Sequence, residues 1–248
     1  MGTVMITGAG SGFGRGAAIE LRRRGHEVIA TTVDEDQAAD LAAGEPQLRV
    51  VKLDITDEAD RQLAADWSVD VLIDNAGLGQ VGPLAQIPLE LVRRVFEVNV
   101  FGTLAITQVV AAGMIERGSG RIIIVSSVAG LRAGPGSGPY SMTKHALQAM
   151  GGALRAELAP HGIDVCLVNP GPFATGFNDA MVEHPGDWFD GAGEVEREMI
   201  HRLRSRITVG QRDPQQVVMA LADLAEADTT ELHNLVPPDI LEQLAAAR

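Results

Sequence analysis

At 248 residues the chain is long enough to bury a large core within one α/β domain. Acidic side chains outnumber basic ones 33 to 20, giving a formal net charge of −13, which argues against nucleic acid or an anionic membrane as a partner. The single cysteine, Cys166, excludes an intrachain disulfide, and its place in the run Val165-Cys166-Leu167-Val168 predicts a buried core thiol. The six histidines show no metal-ligand spacing. No signal peptide precedes the first strand and no uncharged apolar stretch near twenty residues stands out, so the expected location is the cytoplasm.

The chain opens on Val4-Met5-Ile6-Thr7-Gly8-Ala9-Gly10-Ser11-Gly12-Phe13-Gly14, a short apolar run that ends in a cluster of glycines. A helical pattern follows over 14–24. Strand, glycine-rich turn and helix in this order suit a phosphate: glycines let the backbone approach closely, and the helix N-terminus offers free N–H groups. An ordinary β-to-α turn has the same outline, and the spacing G-x-x-x-G-x-G differs from the usual dinucleotide fingerprint. Further strand-like runs lie at 26–32, 48–53, 69–74, 121–127 and 163–169. Helical patterns separate them at 35–43, 57–66, 88–117 with a break near Gly102, and 140–159. The segment 131–139 is rich in Gly and Pro and predicts a loop on a pocket rim. Residues 176–210 carry Phe177, Met181, Trp188 and Phe189, then a charged helical stretch at 194–206. The segment Leu232-His233-Asn234-Leu235-Val236 is followed by Pro237-Pro238 and a short helix. Alternating β and α segments rich in Val and Ile predict a parallel sheet covered on both faces, hence a doubly wound Rossmann-type fold in a single domain. No repeat or linker divides the chain.

The only tyrosine, Tyr140, is followed four residues later by Lys144. On a helix these positions share a face, so a phenol would lie beside an ammonium. The cation would favour phenolate and bring the tyrosine nearer to neutral pH as a general acid or base; a solvated surface pair has the same spacing. Ser127 lies thirteen residues upstream of Tyr140 and could also simply end a strand. Asn99 sits near the break in the long helix, as a kink or cap residue would. Asp54, ahead of a helix, could be a plain N-cap. His145 points about 100° away from Lys144 on a helix and is not counted as catalytic.

Thr7-Gly8-x-x-x-Gly12-x-Gly14, Asn75-Ala76-Gly77, Asn99, Ser127, Tyr140-x-x-x-Lys144 and Pro170-Gly171-x-x-x-Thr175 occur in that order. In this the chain resembles the short-chain dehydrogenase/reductase family, strongly over residues 3–175 and loosely beyond. The resemblance implies a seven-stranded sheet in the order 3-2-1-4-5-6-7. It implies hydride transfer between a nicotinamide cofactor and a secondary alcohol or ketone, with Asn99, Ser127, Tyr140 and Lys144 catalytic. Ser127 would hold the substrate oxygen, and Asn99 a water that links the lysine to solvent. The implied cofactor contacts begin with Gly8, Ser11, Gly12, Phe13 and Gly14 at the turn and Thr32, Val33 and Asp34 after the second strand. Asp54 and Ile55, then Asn75, Ala76 and Gly77, follow the third and fourth strands. Tyr140, Lys144, Pro170, Gly171, Phe173 and Thr175 complete the set. Segment 176–210 would be a substrate lid, and its apolar residues suggest an apolar small molecule. A homodimer or homotetramer is implied through the helices at 103–117 and 140–159, where Ala111, Ala112, Ala146, Ala149 and Ala153 permit close packing.

The cofactor is expected to be NAD rather than NADP. The position that carries an acid in NAD forms is Thr32, Val33 stands where NADP forms often carry Arg, and the carboxylates of Asp34, Glu35 and Asp36 would repel a 2′-phosphate. The competing arrangement is a phosphate held by Thr31, Thr32 and Arg15. Two other function classes are weaker. A redox-inactive dinucleotide-binding regulator would have no need of both Tyr140 and Lys144, and a sugar-nucleotide epimerase would need a longer C-terminal region.

Overall fold

A computed structural model describes residues 1–183 and 187–242. Seven strands form one parallel sheet: β1 (Thr3–Ile6), β2 (Glu27–Thr32), β3 (Arg49–Lys52), β4 (Val71–Asp74), β5 (Gly120–Val125), β6 (Ile163–Pro170) and β7 (His233–Val236). Their order is β3-β2-β1-β4-β5-β6-β7, as the motif order predicts. Between the first six strands run α1 (Gly12–Arg23), α2 (Glu35–Gly44), α3 (Glu58–Gln62), α4 (Leu89–Phe96), α5 (Thr103–Arg117) and α6 (Gly138–Leu158). After β6 come α7 (Phe177–Glu183), α8 (Glu194–Thr208) and α9 (Gln215–Glu226).

The strands read as unbroken apolar runs because both sheet faces are buried. Alternate residues point to opposite sides. Val4, Ile6, Val28, Ala30, Ile123 and Val168 meet Ala17, Ala18 and Leu21 of α1 and Val217, Leu221 and Ala222 of α9 in one core. Met5, Ile29, Leu72, Ile122, Ile124 and Leu167 meet Ile106, Val110 and Met114 of α5 and Leu147 of α6 in the other. Cys166 is fully buried, and burial pushes its thiol up to about 11, so it is a core residue.

Several boundaries differ from the sequence expectation for local reasons. The helix expected at 57–66 is only five residues, Glu58–Gln62, capped by Asp57, whose side chain accepts from Asp60 N. Asp54 is therefore not the N-cap. The break near Gly102 is a π turn, Glu97–Gly102, between α4 and α5. Residues 98–115 form an uncharged run, so the combined helix 89–117 is long and apolar enough to cross a membrane. Its α5 part lies against the sheet through Ile106, Val110, Ala111 and Met114, as a core helix does. Helix α9 was not predicted. Its signal is the spacing Val217, Val218, Leu221, Ala222 and Ala225 after Pro214, all five being buried.

Candidate active site

A cavity of about 940 Å³ opens along the carboxyl ends of the strands. This is where a doubly wound sheet holds its ligands. The glycine turn forms one part of its wall. Gly8 and Gly12 take φ of +66° and +54°, a left-handed conformation that favours glycine. A Cβ on Gly8 would lie 2.7 Å from Ala76 Cα, and one on Gly12 3.3 Å from Thr175 Cβ. The turn is fixed by β4. Asn75 Nδ2 donates to the carbonyls of Thr7 and Gly8, both at 3.0 Å, and Thr7 Oγ1 accepts from the N–H groups of Asn75 and Ala76 at 3.0 and 3.1 Å. The Asn-Ala-Gly motif thus holds the turn to the sheet centre. Ser11, at the N-cap of α1, is exposed. The first-turn N–H groups of that helix have no intrahelical acceptors and can meet a phosphate. Phe13 stands edge-on to Phe173, with ring centroids 5.7 Å apart.

Most of the expected cofactor positions share this wall: Gly8, Ser11, Gly12, Phe13, Val33, Asp54, Ile55, Asn75, Ala76, Gly77, Pro170, Gly171, Phe173 and Thr175. Four expected site residues do not line it. Gly14 is buried, and a Cβ there would lie 2.5 Å from both Asn75 Nδ2 and Gly8 O. Thr32 is buried and turns its hydroxyl to the Asp34 carbonyl at 3.1 Å. Asp34 caps α2: its carboxylate accepts from Gln37 N at 2.8 Å and from Gln37 Nε2 at 2.9 Å. Asn99 is fully buried behind the wall. Gln37 and Thr56 do line the cavity and were not anticipated. Thr56 follows from Asp54, whose Oδ1 accepts from its N–H and hydroxyl in an Asx-type turn.

Ser127, Tyr140 and Lys144 come together at the other part of the cavity. Ser127 caps a short 3₁₀ turn, its hydroxyl accepting from Ala129 N at 3.0 Å. Ser126 is buried and donates to the Lys144 carbonyl, so the hydroxyl available to Tyr140 is that of Ser127. Tyr140 is in the first turn of α6, half-buried, with Phe177 of α7 against its ring at 5.7 Å. Burial pushes its phenol above the ordinary value, and the hydrogen bond with Ser127 offsets only part of this. This reverses the expectation that Lys144 lowers it. Lys144 Nζ donates to the Val125 carbonyl at 2.8 Å and lies 5.6 Å from the centroid of the tyrosine ring. Burial pulls that ammonium down to about 8.

Asn99 acts from the π turn. Its Oδ1 accepts from Leu78 N at 2.7 Å, and its Nδ2 donates to Leu78 O at 2.8 Å and Thr143 Oγ1 at 3.1 Å. It fastens the loop after β4 to α6 beside Lys144. Among the described residues no group of three or more His, Cys, Asp or Glu side chains could hold a metal ion.

A family profile described as short chain dehydrogenase matches residues 2–186. The chain belongs to the short-chain dehydrogenase family. Within it, the uncharacterized oxidoreductase YusZ of Bacillus subtilis is 37% identical over 182 residues, covering 69% of this chain and 65% of that relative. Human retinol dehydrogenase 8 is 33% identical, covering 90% of this chain and 77% of its own length. A short-chain dehydrogenase/reductase from Burkholderia phymatum, solved in complex with NAD, superposes with a TM-score of 0.82 at 28% identity, covering 98% of this chain and 91% of that one.

Proposed function

We propose that this short-chain dehydrogenase transfers hydride between NAD and a small, apolar secondary alcohol or ketone, with Tyr140 as the acid–base group. One observation carries the reading: a phenol, a serine hydroxyl and a buried ammonium share a cavity wall with a glycine turn suited to pyrophosphate. Bound nicotinamide would supply the hydride acceptor or donor. The chain's own residues handle the oxygen. Ser127 orients the substrate oxygen, and Tyr140 Oη gives it a proton in reduction or takes one in oxidation. A phenol kept neutral by burial is the form that ketone reduction needs. Lys144, anchored on Val125, presents a cation behind the phenol and to the nicotinamide ribose. Asn99 holds the Leu78 loop against α6 and so keeps the lysine in place.

The substrate end supports an uncharged ligand. Val81, Met181, Val182, Ile200 and Leu203 form a small core, with Tyr140, Phe177 and Phe189 packed on it. The segment 176–210 acts as a lid there; its residues 184–186 lie outside the described part of the chain. Retinol, in the name of one relative, is an apolar alcohol, though a primary one. The active form is a homo-oligomer, built across α5 and α6.

The test is Tyr140→Phe, assayed by nicotinamide absorbance against a panel of ketones and secondary alcohols. Turnover should fall about 10²–10⁴-fold with nucleotide affinity retained, since one hydroxyl is removed and no core volume. Parental rates in the folded variant would sink the assignment.

A further inference from the structure

We infer that Gln37, held in one orientation by Asp34, is the residue that selects the adenosine ribose; this rests on the oxidoreductase reading above. The ribose of a dinucleotide lies between the glycine turn and the end of the second strand. From the β2–α2 side the cavity receives only Val33 and Gln37. Val33 is exposed and has no polar side-chain atom. The basic residues lining the cavity, Arg94 and Lys144, belong to α4 and α6. Arg15, on the neighbouring helix, is paired with Asp40 at 2.7 Å. Thr31 and Thr32 turn their hydroxyls to the carbonyls of Ile6 and Asp34. In the alternative phosphate clamp both threonine hydroxyls are therefore engaged elsewhere, and Arg15 is drawn toward Asp40.

Gln37 is the third residue of α2, where a capping residue's partner often reaches back to the N-cap N–H with its carbonyl. Here the side chain does otherwise. Its Nε2 donates to Asp34 Oδ2 at 2.9 Å, and its Oε1 lies over Gly10, where a Cβ would collide with it. A carboxylate takes only donors, so Asp34 fixes the amide with its nitrogen inward and its carbonyl toward the glycine turn. A ribose bound between the turn and Gln37 would then meet an acceptor. A 2′-hydroxyl can donate to that carbonyl, whereas a 2′-phosphate offers oxygens to an oxygen. Selection against the phosphate thus comes from an oriented neutral amide. The carboxylate of Asp34 positions that amide and makes no contact of its own.

The experiment is direct titration of the full chain with NADH and NADPH, followed by nicotinamide fluorescence, with thermal melts to confirm folding. The parent should bind NADH at least tenfold more tightly. Gln37→Leu should weaken NADH about tenfold, while NADPH should bind as tightly as before or more tightly. Asp34→Asn, which lets the amide turn, should lose part of the preference. Gln37→Arg should favour NADPH. A Gln37→Leu variant with the parental ratio, or a parent that prefers NADPH, would overturn the inference. A parent that binds neither nucleotide would overturn the oxidoreductase reading as well, which separates the two failures.

Discussion

The hydroxyl of Thr107 has one hydrogen and two oxygens within reach, Asp74 Oδ2 at 2.7 Å and Thr103 O at 2.7 Å. Asp74 is buried at the end of β4, its Oδ1 has no hydrogen-bond partner, and burial pushes the carboxyl up to about 7. A neutral Asp74 resolves the count: it donates to Thr107, which donates to Thr103. The hydrogen bond with Thr107 offsets only part of the burial. The folded state therefore holds this proton more tightly than the unfolded chain does. Stability should fall as pH rises from about 4 to about 7, by an amount on the order of 4 kcal/mol if Asp74 acts alone. Asp74→Asn keeps the shape and removes the charge. It should flatten that dependence and stabilise the protein at pH 8, which urea unfolding at pH 5, 6, 7 and 8 would check. An unchanged slope would place the proton elsewhere. The same contest between burial and charge decides the Tyr140–Lys144 pair. Helical spacing puts the two on one side of α6, but the ammonium is drawn to the Val125 carbonyl, so burial sets the state of the phenol.

Elements position the site through close approaches. The π turn between α4 and α5 lets Asn99 face Leu78 and Thr143 inside the protein. Helix α7 rests on the rim in a similar way. A Cβ on Gly79 would lie 2.7 Å from both Met181 Cγ and Sδ and 2.8 Å from its Cβ, so α7 would have to move outward. Gly79 has no left-handed φ, and the three atoms nearest to such a Cβ all belong to Met181. Gly79→Ala should therefore raise KM for the substrate several-fold and leave NADH affinity at the parental value, because the glycine turn is untouched. Steady-state kinetics beside nucleotide titration would show it. A loss confined to nucleotide binding would mean that Gly79 does not support the lid.

For the whole molecule, the faces expected to pair divide unevenly. Ala112, Ala149 and Ala153 are exposed, whereas Ala111 is buried against the sheet and Ala146 is half-buried. Phe101 on the π turn is 55% exposed, and Ile115 and Met142 are exposed beside these small residues on α5 and α6. A large ring left in water, on the helical stretch that carries Ala112 and Ile115, fits a surface that a second copy covers. Light scattering at micromolar concentration should give at least twice the 26.2 kDa of one chain. Phe101→Asp should shift the species toward monomer. A parent of single-chain mass would rule the oligomer out.

The alternation of Val- and Ile-rich strands with helical patterns determined the sheet, its parallel sense and the end at which the motifs gather, because both follow from period and burial. Ser127, Tyr140 and Lys144 were legible as a set through the family resemblance, which matches the spacing of Ser127 to Tyr140 and the Tyr-x-x-x-Lys pair. Tertiary structure decided what depends on contacts between distant segments. The meeting of Asn99 with Leu78 and Thr143, the capture of Lys144 by Val125, and the placing of Gln37 over Gly10 join residues 19 to 44 positions apart. Sequence patterns carry the period of a face, whereas an unpaired donor finds its acceptor only after the chain has closed on itself. This is why Asp34 was expected at the ribose and is found capping α2 and holding the side chain of Gln37.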